Sequence, residues 1–347
     1  MKSKKLSEKI LSSVKSKGFK YIELPSVIEA NHIVQRSGEN FRKFMFSFTD
    51  INGKELCLRP DLTIASCLRY LDEKLKGKEK IFYSGQAYRK VQSKKDKIIR
   101  NQVGFEILGS KDEKKDDKEI INTSIKILQD LKFSSGTLTI GNIEIFNLLI
   151  SKLDIPKRWK LRLSRHFWRE EYFNDLLKRL ETNADIDPTI VEIDKKRYLD
   201  LLNKNPETMI AGRSVGEILK RFDTKIKDPR QAKRGNKVSK IIKSFLKISC
   251  PINKAAMELN KFFKKNKINL VVDQRYFPIS SNKLSKLNVK FSTSFGRHLE
   301  YYSGMVFKID VKSKSASIKC AGGRYDRLIS DLGSKKQVPA VGAAFNL

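Results

Sequence analysis

Cysteine is scarce in this 347-residue chain: Cys57, Cys67, Cys250 and Cys320 stand far apart, with no CxxC pair. Neither a disulfide framework nor a zinc spacing can be built from them, which fits a reducing compartment. Long apolar runs are missing too, and no stretch approaches the roughly 20 residues that span a bilayer. The basic N-terminal segment MKSKKLSEKILSSVKSKG spaces its apolar residues as on a helix. It has no small-residue cleavage site, so it does not read as a signal peptide. A soluble cytoplasmic protein is expected, with no membrane association, no metal site and no cofactor.

Acidic residues are also in deficit, 39 against 72 lysines and arginines, giving a formal net charge of +33. Such a surface attracts phosphate backbones regardless of sequence. The lysines, however, are spread over every region, as in KSKKDK, KDEKKDDK, KKNK and KSKSAS. There is no arginine-rich tract, aromatic-interleaved basic stripe, helix-turn-helix or zinc module. Specific nucleic-acid binding is therefore not expected, and acidic partners stay open.

What is present reads as mixed α and β. Leu6, Ile10, Leu11 and Val14 give a first helix ending at Gly18, and YIELP (Tyr21 to Pro25) reads as a short strand. Phe44, Phe46 and Phe48, then Leu56 and Leu58, alternate with polar residues about Asn52-Gly53, a hairpin signal. Pro60 and Thr63 start a helix through Leu71. Strands are predicted at Lys80 to Tyr83 and Gln102 to Leu108, helices at Glu119 to Leu131 and Ile143 to Leu153, and a strand at TLTI between them. Residues 155–235 read as an inserted helical subdomain closed by a loop, TKIKDPRQAKRGNK. After it come a helix to about Asn266 and a strand NLVVD. Domain bounds are thus 1–154 and 236–347 for two parts of one core, around the insert. Strands clustered on both sides of a helical insert define an α+β fold with an antiparallel sheet flanked by helices.

Near the end, FGRHLEYYSGMVFKID sets Arg297 close to Tyr301 and Tyr302, ahead of a β-rich run from Met305 to Val311. CAGGRYDRL follows, a Gly-Gly turn opening a helix. A tyrosine pair there suits either a core or a pocket in which the phenols donate to a small polar ligand. Asp61 and Thr63 lie just after a strand, and RKVQ and then NQVGFEILG place Arg89, Gln102, Gly104 and Glu106 on consecutive strands. Gln102, Gly104 and Glu106 are two apart, so they share one sheet face. Polar groups aligned this way are costly to bury without a partner. Asp61, Gln102 and Glu106 offer acceptors for an ammonium or ring N–H, and Arg89 and Arg297 offer donors for a carboxylate. An amino-acid site and a structural ion-pair network both satisfy this pattern.

The ordered series GFKYIELPSVIE, LRPDLT, GQAYR with NQVGFEILG, GRHLEYYSGMVF and CAGGRYD resembles the catalytic core of histidyl-tRNA synthetases over nearly the whole chain. The resemblance implies a class II synthetase-like sheet and a dimer formed through about Ser12 to Glu29. It implies that Asp61, Thr63 and Gln102 receive an α-amino group and that Glu106 and Tyr302 reach the two imidazole nitrogens. Tyr301 would wall the pocket, and Arg89 and Arg297 would take the carboxylate. GGRYD would support the pocket from behind. Asp61 is shorter than the glutamate common in the family, and His298 stands where glycine is usual.

Other positions depart from the family in a consistent direction. Lys90 and Val91 follow Arg89 where a glutamate is expected, and Ile98-Ile99 replace an arginine-glutamate pair. The segment VPAVGAAFNL stops at Leu347, before the arginine that grips ATP phosphates, and no anticodon-binding domain follows. Losing such an arginine fork removes charge stabilisation from adenylation. A histidine pocket without activation machinery is similar to the regulatory subunits of ATP phosphoribosyltransferase. That similarity implies a non-catalytic partner of a short-form catalytic subunit, with L-histidine as feedback effector. An aminoacylating enzyme and a tRNA-binding paralogue are the alternatives.

Overall fold

The computed structural model describes residues 2–37, 39–90, 97–133, 135–182, 188–210, 213–227, 232–279, 281, 283–284, 286–296, 301–312 and 317–347. In chain order, α1 (Lys2–Lys15), β1 (Lys20–Tyr21), β2 (Val27–Glu29) and α2 (Ala30–Ser37) precede the hairpin β3 (Ser47–Thr49) and β4 (Glu55–Leu58). Then come α3 (Leu62–Asp72), β5 (Glu79–Tyr88), β6 (Ile99–Leu108), α4 (Glu113–Asp130) and β7 (Gly136–Asn142). The middle is helical: α5 (Ile143–Lys152), α6 (Lys157–Arg165), α7 (Glu170–Glu181), α8 (Pro188–Leu202), the short pair β8 (Met209–Ile210) and β9 (Arg213–Ser214), α9 (Val215–Lys227) and α10 (Ala232–Phe245). The chain ends with β10 (Ser249–Pro251), α11 (Ala255–Lys265), β11 (Lys283–Leu284), β12 (Leu287–Ser292), β13 (Met305–Lys312), β14 (Ser317–Arg324), α12 (Leu328–Asp331) and β15 (Ala340–Asn346).

Two compact units result, one of Met1–Glu144, Ser249–Ala256 and Val272–Leu347, the other of Ile145–Ile248 and Met257–Val271. The helical unit thus begins before residue 155, runs past 235 and takes in most of α11. Packing gives the reason: Phe146 of α5 stacks on Phe167 at 3.7 Å and meets Phe173 edge-on, inside the helical core.

The first unit is built on a sheet ordered β1-β5-β6-β15-β14-β13-β7-β12-β10, with β11 added on β12. Its centre is antiparallel, but β1 runs parallel to β5 and β7 parallel to β12, so the sheet is mixed at both flanks. Parallel neighbours need a long crossover, and between β7 and β12 the chain traverses the helical unit. The hairpin expected about Asn52-Gly53 is present, with β3 paired to β4 and Gly53 at φ 78°.

Three local expectations are corrected. NLVVD is not part of a strand; Val272 is buried, Val271 is 74% exposed, and Asp273 caps a short 3-10 turn. Most of TKIKDPRQAKRGNK is helical, lying at the end of α9 and the start of α10. Gly322 and Gly323 sit inside β14 and not in a turn. They are there because space is lacking. A Cβ on Gly322 would fall 2.1 Å from the Gly342 carbonyl, and one on Gly323 2.9 Å from the Tyr302 ring.

The two faces of the sheet have different work. Val103, Phe105, Phe345 and Cys320 are fully buried on one face, which α1 and α4 cover. There Arg324, 5% exposed at its side chain, binds Asp117 of α4 through Nη2 at 2.7 Å and Asp326 through Nη1 at 2.9 Å. It also donates to the Glu113 carbonyl at 2.9 Å. Burial pushes Asp117 up to about 6 even though Arg324 pulls it down. Replacing Arg324 with methionine should cost about 3–5 kcal/mol, because two carboxylates are left without their cation. A shift of the urea midpoint too small for such a loss would refute this assignment.

Candidate functional site

The opposite face supplies the polar residues. Gln102 and Glu106 project from β6, and Arg100 shares their parity. Asp61 is the N-cap of α3, its Oδ1 accepting from the Ile64 N–H at 3.2 Å, which puts Thr63 in the first helical turn. Arg89 lies just past the end of β5 and not on a strand, and Tyr301 and Tyr302 precede β13. The seven expected residues Asp61, Thr63, Arg89, Gln102, Glu106, Tyr301 and Tyr302 line one cavity of about 310 Å³, together with Tyr83, Arg100, Tyr325, Gly342 and Asn346. The eighth expected residue, Arg297, lies outside the described residues, as do Val91 and His298.

Glu106 is the floor, 1% exposed. Its Oε1 accepts from the Tyr83 hydroxyl at 2.5 Å and from Thr63 Oγ1 at 3.1 Å, and its Oε2 accepts from the Tyr325 hydroxyl at 2.5 Å. Burial raises this carboxyl to about 7; the three hydroxyl bonds oppose the rise, and the nearby Asp61 charge adds to it. Burial likewise pushes the Tyr83, Tyr301, Tyr302 and Tyr325 phenols upward, keeping them as neutral donors. The Tyr301 ring meets those of Tyr302 and Tyr325 edge-on, at 5.0 and 5.8 Å between centroids.

The mouth carries the charges. Asp61 Oδ2 accepts from the Tyr301 hydroxyl at 3.4 Å and lies 3.7 Å from Arg89 Nη2. Arg89 also donates through Nε to the Pro60 carbonyl at 2.8 Å, so its plane is fixed. Gln102 Nε2 donates to Asn346 Oδ1 at 2.7 Å. A cation and an anion sit together above a buried acceptor. That arrangement accommodates a small zwitterion whose side chain enters head first and offers one N–H to Glu106.

Tyr83, Arg100, Tyr325 and Asn346 were not among the expected site residues. Tyr83 stands opposite Gly104 in the β5–β6 register, and a Cβ at Gly104 would lie 2.4 Å from its ring. A glycine between two polar strand residues was the available signal that something large crosses there. Tyr325 lies in GGRYD, and its hydroxyl touches the floor directly. Arg59 of LRPDLT is buried for another reason, donating to the carbonyls of Leu24, Pro25 and Gln86. Among the described residues, no group of three or more histidines, cysteines or carboxylates could hold a metal ion. None of the described helices is long and apolar enough to cross a membrane.

This sheet and its amino-acid-sized cavity define a class II synthetase-type core. The family model for histidyl-tRNA synthetase matches residues 1–347, and the chain belongs to that family. Within it, the chain is similar to proteins with a narrower description. The ATP phosphoribosyltransferase regulatory subunit of Agrobacterium fabrum (strain C58 / ATCC 33970) is 28% identical over 338 residues, 92% of this chain and 89% of that protein. The protein of the same description from Allorhizobium ampelinum (strain ATCC BAA-846 / DSM 112012 / S4) is 27% identical over 350 residues, 96% and 93% of the two chains. A solved structure from Bacillus halodurans C, described as an ATP phosphoribosyltransferase regulatory subunit/histidyl-tRNA synthetase, shares the fold. It has a TM-score of 0.57 at 21% identity over 99% of this chain and 76% of that one.

Proposed function

We propose that this chain is a non-catalytic regulatory subunit of ATP phosphoribosyltransferase, and that its sheet cavity binds L-histidine as a feedback effector. The observation that carries the reading is Glu106, a buried acceptor ringed by three hydroxyl donors at the end of a cavity with Asp61 and Arg89 at its mouth. An imidazole N–H meets Glu106, Tyr302 serves the other ring nitrogen, Asp61, Thr63 and Gln102 take the ammonium, and Arg89 with Arg297 takes the carboxylate.

The absence of chemistry in this reading rests on Val91 in place of a glutamate and on Ile98-Ile99. Ile98 and Ile99 are 48% and 45% exposed, apolar surface where the family resemblance leads one to expect an arginine followed by a glutamate. The partner is a short-form catalytic subunit, and histidine acts by favouring one arrangement of the assembly. Coupling of about 1–3 kcal/mol suffices. Self-association through about Ser12 to Glu29 is favoured by apolar surface left on that segment, with Tyr21 48% and Val27 40% exposed. A cytoplasmic setting suits the buried free thiols of Cys57, Cys67 and Cys320.

The test is to mix the chain with a short-form catalytic subunit and follow phosphoribosyl transfer. Activation that histidine reverses is expected. No effect on transfer rejects the reading, and histidine- and ATP-dependent pyrophosphate exchange by the chain alone would make it an aminoacylating enzyme.

A further inference from the structure

Tyr302 and Tyr325 enter the cavity from two segments that run side by side, residues 301–304 ahead of β13 and residues 323–326 at the end of β14. Three contacts join the segments. The Tyr302 ring lies over Gly323, where a Cβ would fall 2.9 Å from it. The Ser303 N–H donates to the Arg324 carbonyl at 2.8 Å. Ser303 Oγ accepts from the Asp326 N–H at 3.1 Å, and its own proton has the Arg324 carbonyl at 3.4 Å and Asp326 Oδ2 at 3.5 Å within reach.

The second segment is anchored to the sheet without help from Ser303. Asp326, 8% exposed, accepts through Oδ1 from the Ala340 N–H at 2.9 Å and from Arg324 Nη1 at 2.9 Å. The Tyr325 N–H donates to the Ala340 carbonyl at 2.8 Å, and its hydroxyl to Glu106. Tyr325 is thus set by β15 and β6. Tyr302 stands three residues before β13, and the next fixed point along its segment is the Gly304 carbonyl, which accepts from the Ile143 N–H at 2.9 Å. Ser303 lies between the two. It is not among the residues that line the cavity. Its hydroxyl serves the Asp326 N–H, a donor in a buried residue that is costly to leave unpaired.

We propose that Ser303 is a positioning residue for the effector pocket: its hydroxyl holds Tyr302 against the Tyr325 segment so that both edges of one small ring are bonded at once. This role rests on the reading that the cavity binds histidine. An imidazole has a nitrogen on each edge, and its two partners must keep a fixed separation, because a hydrogen bond fades beyond about 3.2 Å. Glu106 lies within a strand, whereas Tyr302 precedes one. A group on such a segment keeps its aim only through neighbours that are themselves hydrogen-bonded. Ser303 supplies that bond from the adjacent residue.

The experiment titrates the full chain with L-histidine by calorimetry and takes the urea midpoint of each variant. Ser303→Ala should weaken binding about threefold to tenfold, the range of one net hydrogen bond. Ser303→Thr keeps the hydroxyl and should bind within about twofold of the unaltered chain. Ser303→Cys keeps the volume with a weak acceptor and should fall between these; it carries the same contrast if the alanine chain does not fold. Tyr302→Phe removes the group that is positioned, so adding Ser303→Ala to it should cost less than about twofold more. A serine that only supports the fold would lower the urea midpoint and leave the affinity of the folded chain unchanged. Equal affinity in Ser303→Ala, or a loss that multiplies in full with that of Tyr302→Phe, overturns the role of Ser303. Absence of histidine binding by the unaltered chain overturns the reading of the cavity, and this role with it.

Discussion

Glutamine in place of Glu106 will lower the affinity for L-histidine about tenfold to a hundredfold while leaving the chain folded. A hydrogen bond to a charged acceptor is worth about 1.5–3 kcal/mol, and about 1.4 kcal/mol is tenfold in affinity. The amide keeps the shape, and its carbonyl still accepts from Tyr83 and Thr63. What it lacks is the charge that meets the ligand N–H. The same change alters stability in a direction that can be worked out. Folding raises Glu106 from 4.5 to about 7. A raised acid contributes stability that is fully present below its ordinary range and is lost as pH rises through the folded value. For this fully buried group the loss amounts to about 3 kcal/mol. The glutamine variant has no such loss, so relative to the unaltered chain it should gain stability between about pH 5 and 8. Titration calorimetry and urea midpoints at both pH values check the two halves. Unchanged histidine affinity would remove Glu106 from the site.

Alanine at Gly342 should do more damage with a single methyl group. The new Cβ would fall 1.3 Å from Glu106 Oε2 and 2.9 Å from the Phe105 carbonyl, and neither can yield cheaply. The carboxylate would have to leave the Tyr325 hydroxyl, which donates to that same oxygen. Overpacking costs about 1–3 kcal/mol, and here a broken buried hydrogen bond adds to it. Histidine binding should be lost outright. The double variant Gly342→Ala/Glu106→Ala separates the causes: it should recover much of the stability and none of the binding. If the two losses simply add, the collision is not with Glu106.

Much of this site could be read from residue order. Period-two alternation on β6 aligns Gln102 with Glu106, and the cavity contains both. The Asn52-Gly53 hairpin and the helix started at Pro60 and Thr63 are local signals, and both formed, the helix with Asp61 as its N-cap. What escaped is non-local. Tyr325 reaches Glu106 from just past the end of β14, 219 residues on, and only the β5–β6 register brings Tyr83 opposite Gly104. Gly322-Gly323 has the composition of a turn, yet the glycines serve a close approach between β14, β15 and the Tyr302 ring. NLVVD has strand composition, but β propensity depends on the surroundings the segment meets more than on the segment itself.

The three hydroxyls on Glu106 have a consequence for proton counting. A carboxylate has about four lone-pair sites, and Tyr83, Thr63 and Tyr325 occupy three of them, leaving one for a visitor. Neutral imidazole keeps one N–H, which suits that last site once Glu106, at about 7, is ionised. Association below that value must therefore release a proton, and above it the ring's own N–H suffices with none taken up. Histidine would then be held more tightly as the pH rises to neutrality, and the occupancy of the cavity would register the acidity of its surroundings along with the supply of the amino acid.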